Sequence, residues 1–116
     1  MFKLRNSLTI GLIAMLCIAA APQARHYTKQ EWKAIKTKLI KMPRPPYPVE
    51  ARRRFITGSG IYRTFFSERG EANRITILKS TGHQVLDDAV IKTLYLWRAK
   101  PGRSWDIDVP VTFTYR

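Results

Sequence analysis

The chain has 116 residues, with 21 Lys or Arg against 8 Asp or Glu and a formal net charge of +13. That length suits one compact domain with short appendages and is too small for two cores. One cysteine, Cys17, excludes a disulfide framework within the chain. Metal-ligand spacing and a glycine-rich phosphate loop are both absent from the sequence.

The charge is unevenly placed. Residues 25–54 hold ten basic residues against Glu31 and Glu50, whereas residues 55–116 hold nine basic and six acidic ones. A leader of this kind is drawn to polyanions such as lipid headgroups or acidic wall polymers, or it is a solvated, self-repelling arm. Arg52, Arg53 and Arg54 are its densest run and the candidate polyanion contacts.

Lys3 and Arg5 precede an apolar run from Leu8 to Ala21 that only Thr9 breaks. A basic start and a short apolar stretch followed by small residues (Ala19, Ala20, Ala21, Ala24) form the pattern of an export signal. The run is shorter than the roughly 20 residues of a stable membrane span. Residues 1–24 are therefore read as a signal peptide, or as a short uncleaved anchor in the inner membrane. The rest of the chain is expected in the periplasm. Met15 and Leu16 before Cys17 do not suit a lipoprotein signal, which needs small residues there. Export also removes nucleic acid from the expected partners.

Residues 25–42 read as a basic linker. Thr28 and Glu31 fit a capping box, and Trp32, Ile35, Leu39 and Ile40 recur at helical spacing, which predicts an amphipathic helix over 28–41. Its apolar stripe suits an anionic membrane surface and suits packing on the domain that follows equally well. Four prolines between Pro43 and Pro48 then force extended backbone, and Pro48 opens a short helix to about Arg54.

Gly58 to Ser67 predicts a strand, rich in β-branched and aromatic residues, with either face able to point inward. Gly70 marks the turn, and Ala72 to Lys79 returns. Gln84 to Trp97 predicts the main helix, with Leu86, Ala89, Val90, Leu94 and Trp97 on one stripe and Pro101-Gly102 as its stop. Asp106 to Arg116 alternates strictly, with Ile107, Val109, Val111, Phe113 and Tyr115 on one face. Pro110 in its middle points to an edge strand. The expected architecture is α+β. A three-stranded antiparallel sheet has one main helix packed on it and a short helix before it, in the order α-β-β-α-β.

Acid–base chemistry finds no support in the sequence. His26 and His83 both flank helix starts, and Asp87 and Asp88 are helix neighbours that point to different faces. No nucleophile–base–acid set is visible, so a non-enzyme is expected. Trp97 reads as core, and Trp105, in a loop, is a candidate contact residue.

The ordered set Pro46-Tyr47-Pro48, Ala51-Arg52, Gly58, Gly70, Ile75-Thr76-Ile77-Leu78, Ser80-Thr81-Gly82, Leu86-Asp87 with Ala89, Trp97-Arg98, Pro101-Gly102 and Val109-Pro110-Val111-Thr112-Phe113 resembles the TonB C-terminal domain family over residues 43–116. The resemblance implies a periplasmic interaction domain in TonB-dependent transmembrane transport. The family's last strand accepts a short segment of an outer-membrane receptor, the TonB box, as an added strand. Carried onto this sequence, that edge runs from Ile107 to Tyr115, with Ile107, Val109, Val111, Thr112, Phe113 and Tyr115 as contacts. Pro46, Tyr47 and Pro48 are expected beside the incoming segment. Main-chain hydrogen bonds supply most of such an interaction, so no one side chain is obligatory. The resemblance also implies inner-membrane ExbB/ExbD-type partners and a homodimer formed through the edge strands. Two departures count against proton-motive coupling. Residues 1–24 hold no histidine, and the 24 residues from Pro22 to Pro45 reach at most roughly 80 Å when extended.

Overall fold

A computed structural model describes residues 23–115. The export-signal or anchor reading of residues 1–24 thus lies, but for its last two positions, outside the described residues. Among these, no helix is long and apolar enough to cross a membrane.

The chain runs α1 (Lys29–Thr37), β1 (Leu39–Lys41), α2 (Val49–Arg53), β2 (Gly58–Phe66), β3 (Ala72–Lys79), α3 (Gln84–Leu94), β4 (Arg98–Ala99) and β5 (Trp105–Phe113). Strands β3, β2 and β5 form an antiparallel sheet in that spatial order, with β2 in the centre, and β1 and β4 form a separate two-stranded ribbon. The α-β-β-α-β frame over residues 43–116 is therefore present as expected, with β5 on an edge where Pro110 can be accommodated.

Periodicity decides which side of the sheet is covered. Gly60, Tyr62, Thr64 and Phe66 of β2 are buried, while Ile61, Arg63 and Phe65 between them face the other way. Ile107, Val109 and Phe113 of β5 join the buried face. Helix α3 closes it with Leu86, Val90 and Leu94, one residue per turn and all fully buried. Each such side chain contributes about 2 kcal/mol of burial.

Gly70 turns the β2–β3 hairpin at φ +85°. A Cβ there would lie 1.9 Å from the Ala99 carbonyl oxygen, so the turn and its contact with β4 both need glycine. The Ala99 N–H donates to the Gly70 carbonyl at 2.8 Å.

Two helices end earlier than their periodicity predicts. Helix α1 stops at Thr37 instead of continuing to residue 41, because Leu39 turns into the core and pairs with Ala99 in the β1–β4 ribbon. Ile40, expected on the helix stripe, is exposed. Helix α3 stops at Leu94, and the chain bends so that Trp97 enters the core from beyond the helix, its Nε1–H donating to the Pro43 carbonyl at 2.9 Å. The Thr28 cap is present, with the Glu31 N–H bonded to Thr28 Oγ1 at 3.1 Å. Helix α1 buries no residue of its own; Trp32 and Ile35 are half-buried.

Candidate functional site

Strand β5 has β2 on one side, in unbroken register from Gly58–Phe113 to Phe66–Trp105. Among the described residues no strand pairs with its other side, which is the open edge. The Asp108 main-chain N–H donates to the Tyr27 hydroxyl at 3.2 Å, so that N–H faces the open edge and not β2. In an antiparallel ladder the outward-facing residues alternate, and each turns its N–H and C=O the same way. Positions 106, 108, 110 and 112 therefore line the open edge. Pro110 has no N–H to offer, and it sits at the one parity where β2 loses nothing by that.

Beyond Pro110 the edge opens into a groove of about 570 Å³. Val109 to Thr114 form one wall. Trp32 and Lys36 of α1, the Pro43–Pro45 segment, Tyr47 and Trp97 form the other. None of the lining side chains is a carboxylate, histidine or cysteine, and the charged ones are Lys36 and Arg44. The groove sets a stretch of strand edge beside apolar side chains, with Lys36, Arg44 and Tyr47 as its titratable lining groups.

The extended backbone around Tyr47 sorts the expected contact residues. Tyr47 turns toward β5, its ring edge-to-face with Phe113 at 5.4 Å and its hydroxyl donating to the Ile56 carbonyl. Pro46 and Pro48 turn the other way, into a hollow shared with Val85, Asp88, Ala89 and Lys92 of α3. The sequence reading grouped all three; the structure brings only Tyr47 to the groove. On β5, the side chains of Ile107, Val109 and Phe113 are core, Val111 is half-buried in the groove wall, and Thr112 is exposed. Tyr115 stacks edge-on with exposed Phe55 at 4.7 Å, away from the groove. Trp105 lies half-buried against Phe66, at 5.0 Å, with the Lys38 ammonium 5.0 Å over its ring.

Two buried carboxylates hold the frame of the site. Asp87, which in the sequence is a helix neighbour of Asp88 and part of the Leu86-Asp87 signature, is the first. Its carboxylate accepts from the Tyr62 hydroxyl at 2.7 Å, the Thr81 N–H at 3.0 Å, the Thr81 hydroxyl at 2.8 Å and the Ser80 hydroxyl. Burial works against its charge, but the bonds from Ser80, Thr81 and Tyr62 outweigh that and hold its pKa below the ordinary carboxylate value. Burial and the Asp87 hydrogen bond push the Tyr62 phenol well above its ordinary value. The signal in the sequence was the Ser80-Thr81 pair of hydroxyls just before the helix that carries Asp87.

Asp108 lies on the outer face of β5 and still has no exposure. Arg63 Nε donates to it at 2.7 Å and Arg63 Nη2 at 3.0 Å. The Arg25 main-chain N–H donates at 2.7 Å, and the Arg25 guanidinium reaches Asp108 and Asp106. Burial again opposes the charge; the Arg63 and Arg25 hydrogen bonds prevail and hold Asp108 far below the usual carboxylate range. Arg25 lies 83 residues away in sequence, which is why no local pattern showed it.

The arginine run ends α2. Ile56 N–H bonds to the Ala51 carbonyl at 2.9 Å and Phe55 N–H to the Arg52 carbonyl at 3.2 Å, a Schellman closure with Phe55 at φ +55° where glycine is usual. Arg52, Arg53 and Arg54 are exposed on it, and Arg54 makes an exposed ion pair with Glu50 at 3.8 Å. This run stands apart from the groove lining.

Comparison with known proteins bears on the same frame. Protein tonB2 of Pseudomonas aeruginosa is 31% identical over 77 residues, 61% of this chain; the chain spans 28% of that protein's length. The solution structure of the Pseudomonas aeruginosa TonB C-terminal domain superposes with a TM-score of 0.61 at 23% identity, covering 66% of this chain and 83% of that one. The Helicobacter pylori TonB C-terminal domain superposes with a TM-score of 0.53 at 24% identity, covering 62% and 70%. These two likenesses show the fold. The family model described as Gram-negative bacterial TonB protein C-terminal matches residues 43–116, from the prolines of the groove wall through β5. With that match over most of its length, the chain belongs to the TonB C-terminal domain family.

Proposed function

We propose that this protein is a periplasmic docking module of TonB-dependent transport. In this reading it captures the N-terminal segment of an outer-membrane receptor as an added strand on β5. The observation that carries the reading is the open half of the β5 edge beyond Pro110, which faces a largely apolar groove. Thr112 supplies the edge N–H there. Tyr47, Trp32 and Trp97 supply the apolar wall, and Lys36 and Arg44 favour an acidic residue in the guest. The reading is one of binding without catalysis. Periplasmic location rests on the export pattern of residues 1–24, and the same edge would serve a homodimer.

Substituting Thr112→Pro removes the N–H at this point. Proline already occupies the same parity at Pro110, so the β2–β5 ladder keeps all its main-chain bonds and loses only the exposed hydroxyl contact of Thr112 with Ser59. Calorimetric titration of the variant with receptor N-terminal peptides should show affinity lowered about tenfold, the scale of one well-made hydrogen bond in a dry groove. Unchanged affinity in a folded variant would remove strand addition at this edge from consideration.

A further inference from the structure

The open edge of β5 is not open along its whole length. Residues 23–27 cross the outer face of the sheet. The Gln23 carbonyl accepts from Arg63 Nη2 at 3.2 Å, and Arg25 is fastened to Asp108 by both its main-chain N–H and its side chain. The chain then rounds the edge, and Tyr27 places its hydroxyl on the Asp108 N–H. That hydroxyl stands where the carbonyl oxygen of an added strand would have to stand. Tyr27 is in turn held edge-to-face on Trp32 of α1 at 5.3 Å, so the strap and the groove wall are one continuous piece of chain.

We propose that residues 23–27 are a displaceable strap, which guards the Asp106–Asp108 half of the β5 edge and competes with an incoming strand for it. The proposal rests on the docking reading and adds its regulation. Three features favour a guard over a permanent part of the sheet. An unpaired strand edge invites pairing with other chains, and a cover made of side-chain contacts is a common protection. The strap offers β5 a phenol and a guanidinium, with no run of main-chain hydrogen bonds, so a true strand can replace it with better pairing. Its removal also leaves the sheet intact: Arg63 alone gives Asp108 two hydrogen bonds, and no strap residue belongs to the buried apolar core. With the strap in place, Pro110 and the occupied Asp108 N–H confine a guest to the part of the edge from Thr112 onward. With the strap displaced, the guest gains the Asp108 N–H as well and can pair over twice the length.

Two variants of the full chain test this. Arg25→Ala removes the guanidinium from Asp106 and Asp108 while Arg63 still satisfies Asp108. Tyr27→Phe removes only the acceptor for the Asp108 N–H. In both, amide exchange at Asp108 should rise while exchange in β2 stays as it is, which shows that the strap has loosened and the fold has not. Affinity for receptor N-terminal peptides should then increase by roughly tenfold for Arg25→Ala, the scale of one charge-assisted hydrogen bond no longer to be broken. It should increase less for Tyr27→Phe. Faster exchange at Asp108 with affinity equal to that of the unaltered protein would overturn the strap while leaving docking standing. Lower affinity in both variants would make the strap part of the binding surface and overturn it equally. Binding by none of the three proteins would overturn the docking reading, and the strap with it.

Discussion

At the scale of single residues, the buried carboxylates decide how the domain responds to acid. Asp87 and Asp108 both have folded pKa values below the ordinary carboxylate value. An unfolded Asp takes up its proton near pH 3.9, so the folded state binds that proton less readily than the unfolded chain does. The stabilisation is complete above that pH and is lost as pH falls through the folded values. Denaturant unfolding should therefore give a flat stability from pH 7 to about pH 5 and a decline below about pH 4. Asp87→Ala should cost roughly 2–4 kcal/mol at neutral pH, because Tyr62, Thr81 and Ser80 lose their common acceptor inside the protein, and should make the acid decline shallower. A variant as stable as the parent, with the same acid profile, would mean that the Asp87 cluster does not hold the α3–β2 contact.

At the scale of elements, α1 is the piece with least to hold it. It buries no residue, and at nine residues it is shorter than a helix that stands alone in water. Its start depends on the Thr28 cap, and its face on the contacts of Trp32 and Ile35. Thr28→Ala should cost about 1 kcal/mol, the usual worth of such a cap. Hydrogen exchange should locate the loss in Lys33–Thr37, with the β2 and β3 amides unchanged. Receptor-peptide affinity should fall as well, since Trp32 and Lys36 form part of the groove wall. A loss of protection spread evenly over the sheet would instead show that α1 and the sheet unfold as one unit.

The elements also show how much could be seen in the sequence. The β2–β3 hairpin, α3 and β5 were legible because each is long enough for its period to repeat and because Gly70 and Pro101-Gly102 punctuate them. The β1–β4 ribbon was not, since strands of three and two residues have no period, and Leu39 looked like one more position of the preceding helix. The family resemblance singles out Pro46, Tyr47 and Pro48 together; extended backbone turns successive side chains to opposite sides, so Tyr47 lines the groove while Pro46 and Pro48 face α3. Arg25, Tyr27 and Asp108 form one cluster from residues more than 80 apart, and nothing local announces it.

At the scale of the whole molecule, one sheet serves two purposes. Its inner face, under α3 and the ribbon, makes the core into which β5 packs Ile107, Val109 and Phe113. Its β5 edge carries the proposed function. Pro110 divides that edge into a guarded half, under residues 23–27, and an open half facing the groove. The basic run at Arg52–Arg54 is exposed and stands apart from both, and its attraction for anions is screened by salt. The measurement that tests docking most directly is an NMR titration of the protein with N-terminal peptides of outer-membrane receptors, at low and at moderate salt. Strand addition predicts shifts concentrated in Val111–Thr114 and at Tyr47, and a Thr112 amide that becomes protected from exchange, both persisting at moderate salt. Shifts confined to Arg52–Arg54 that vanish with salt, with the Thr112 amide exchanging as before, would contradict it.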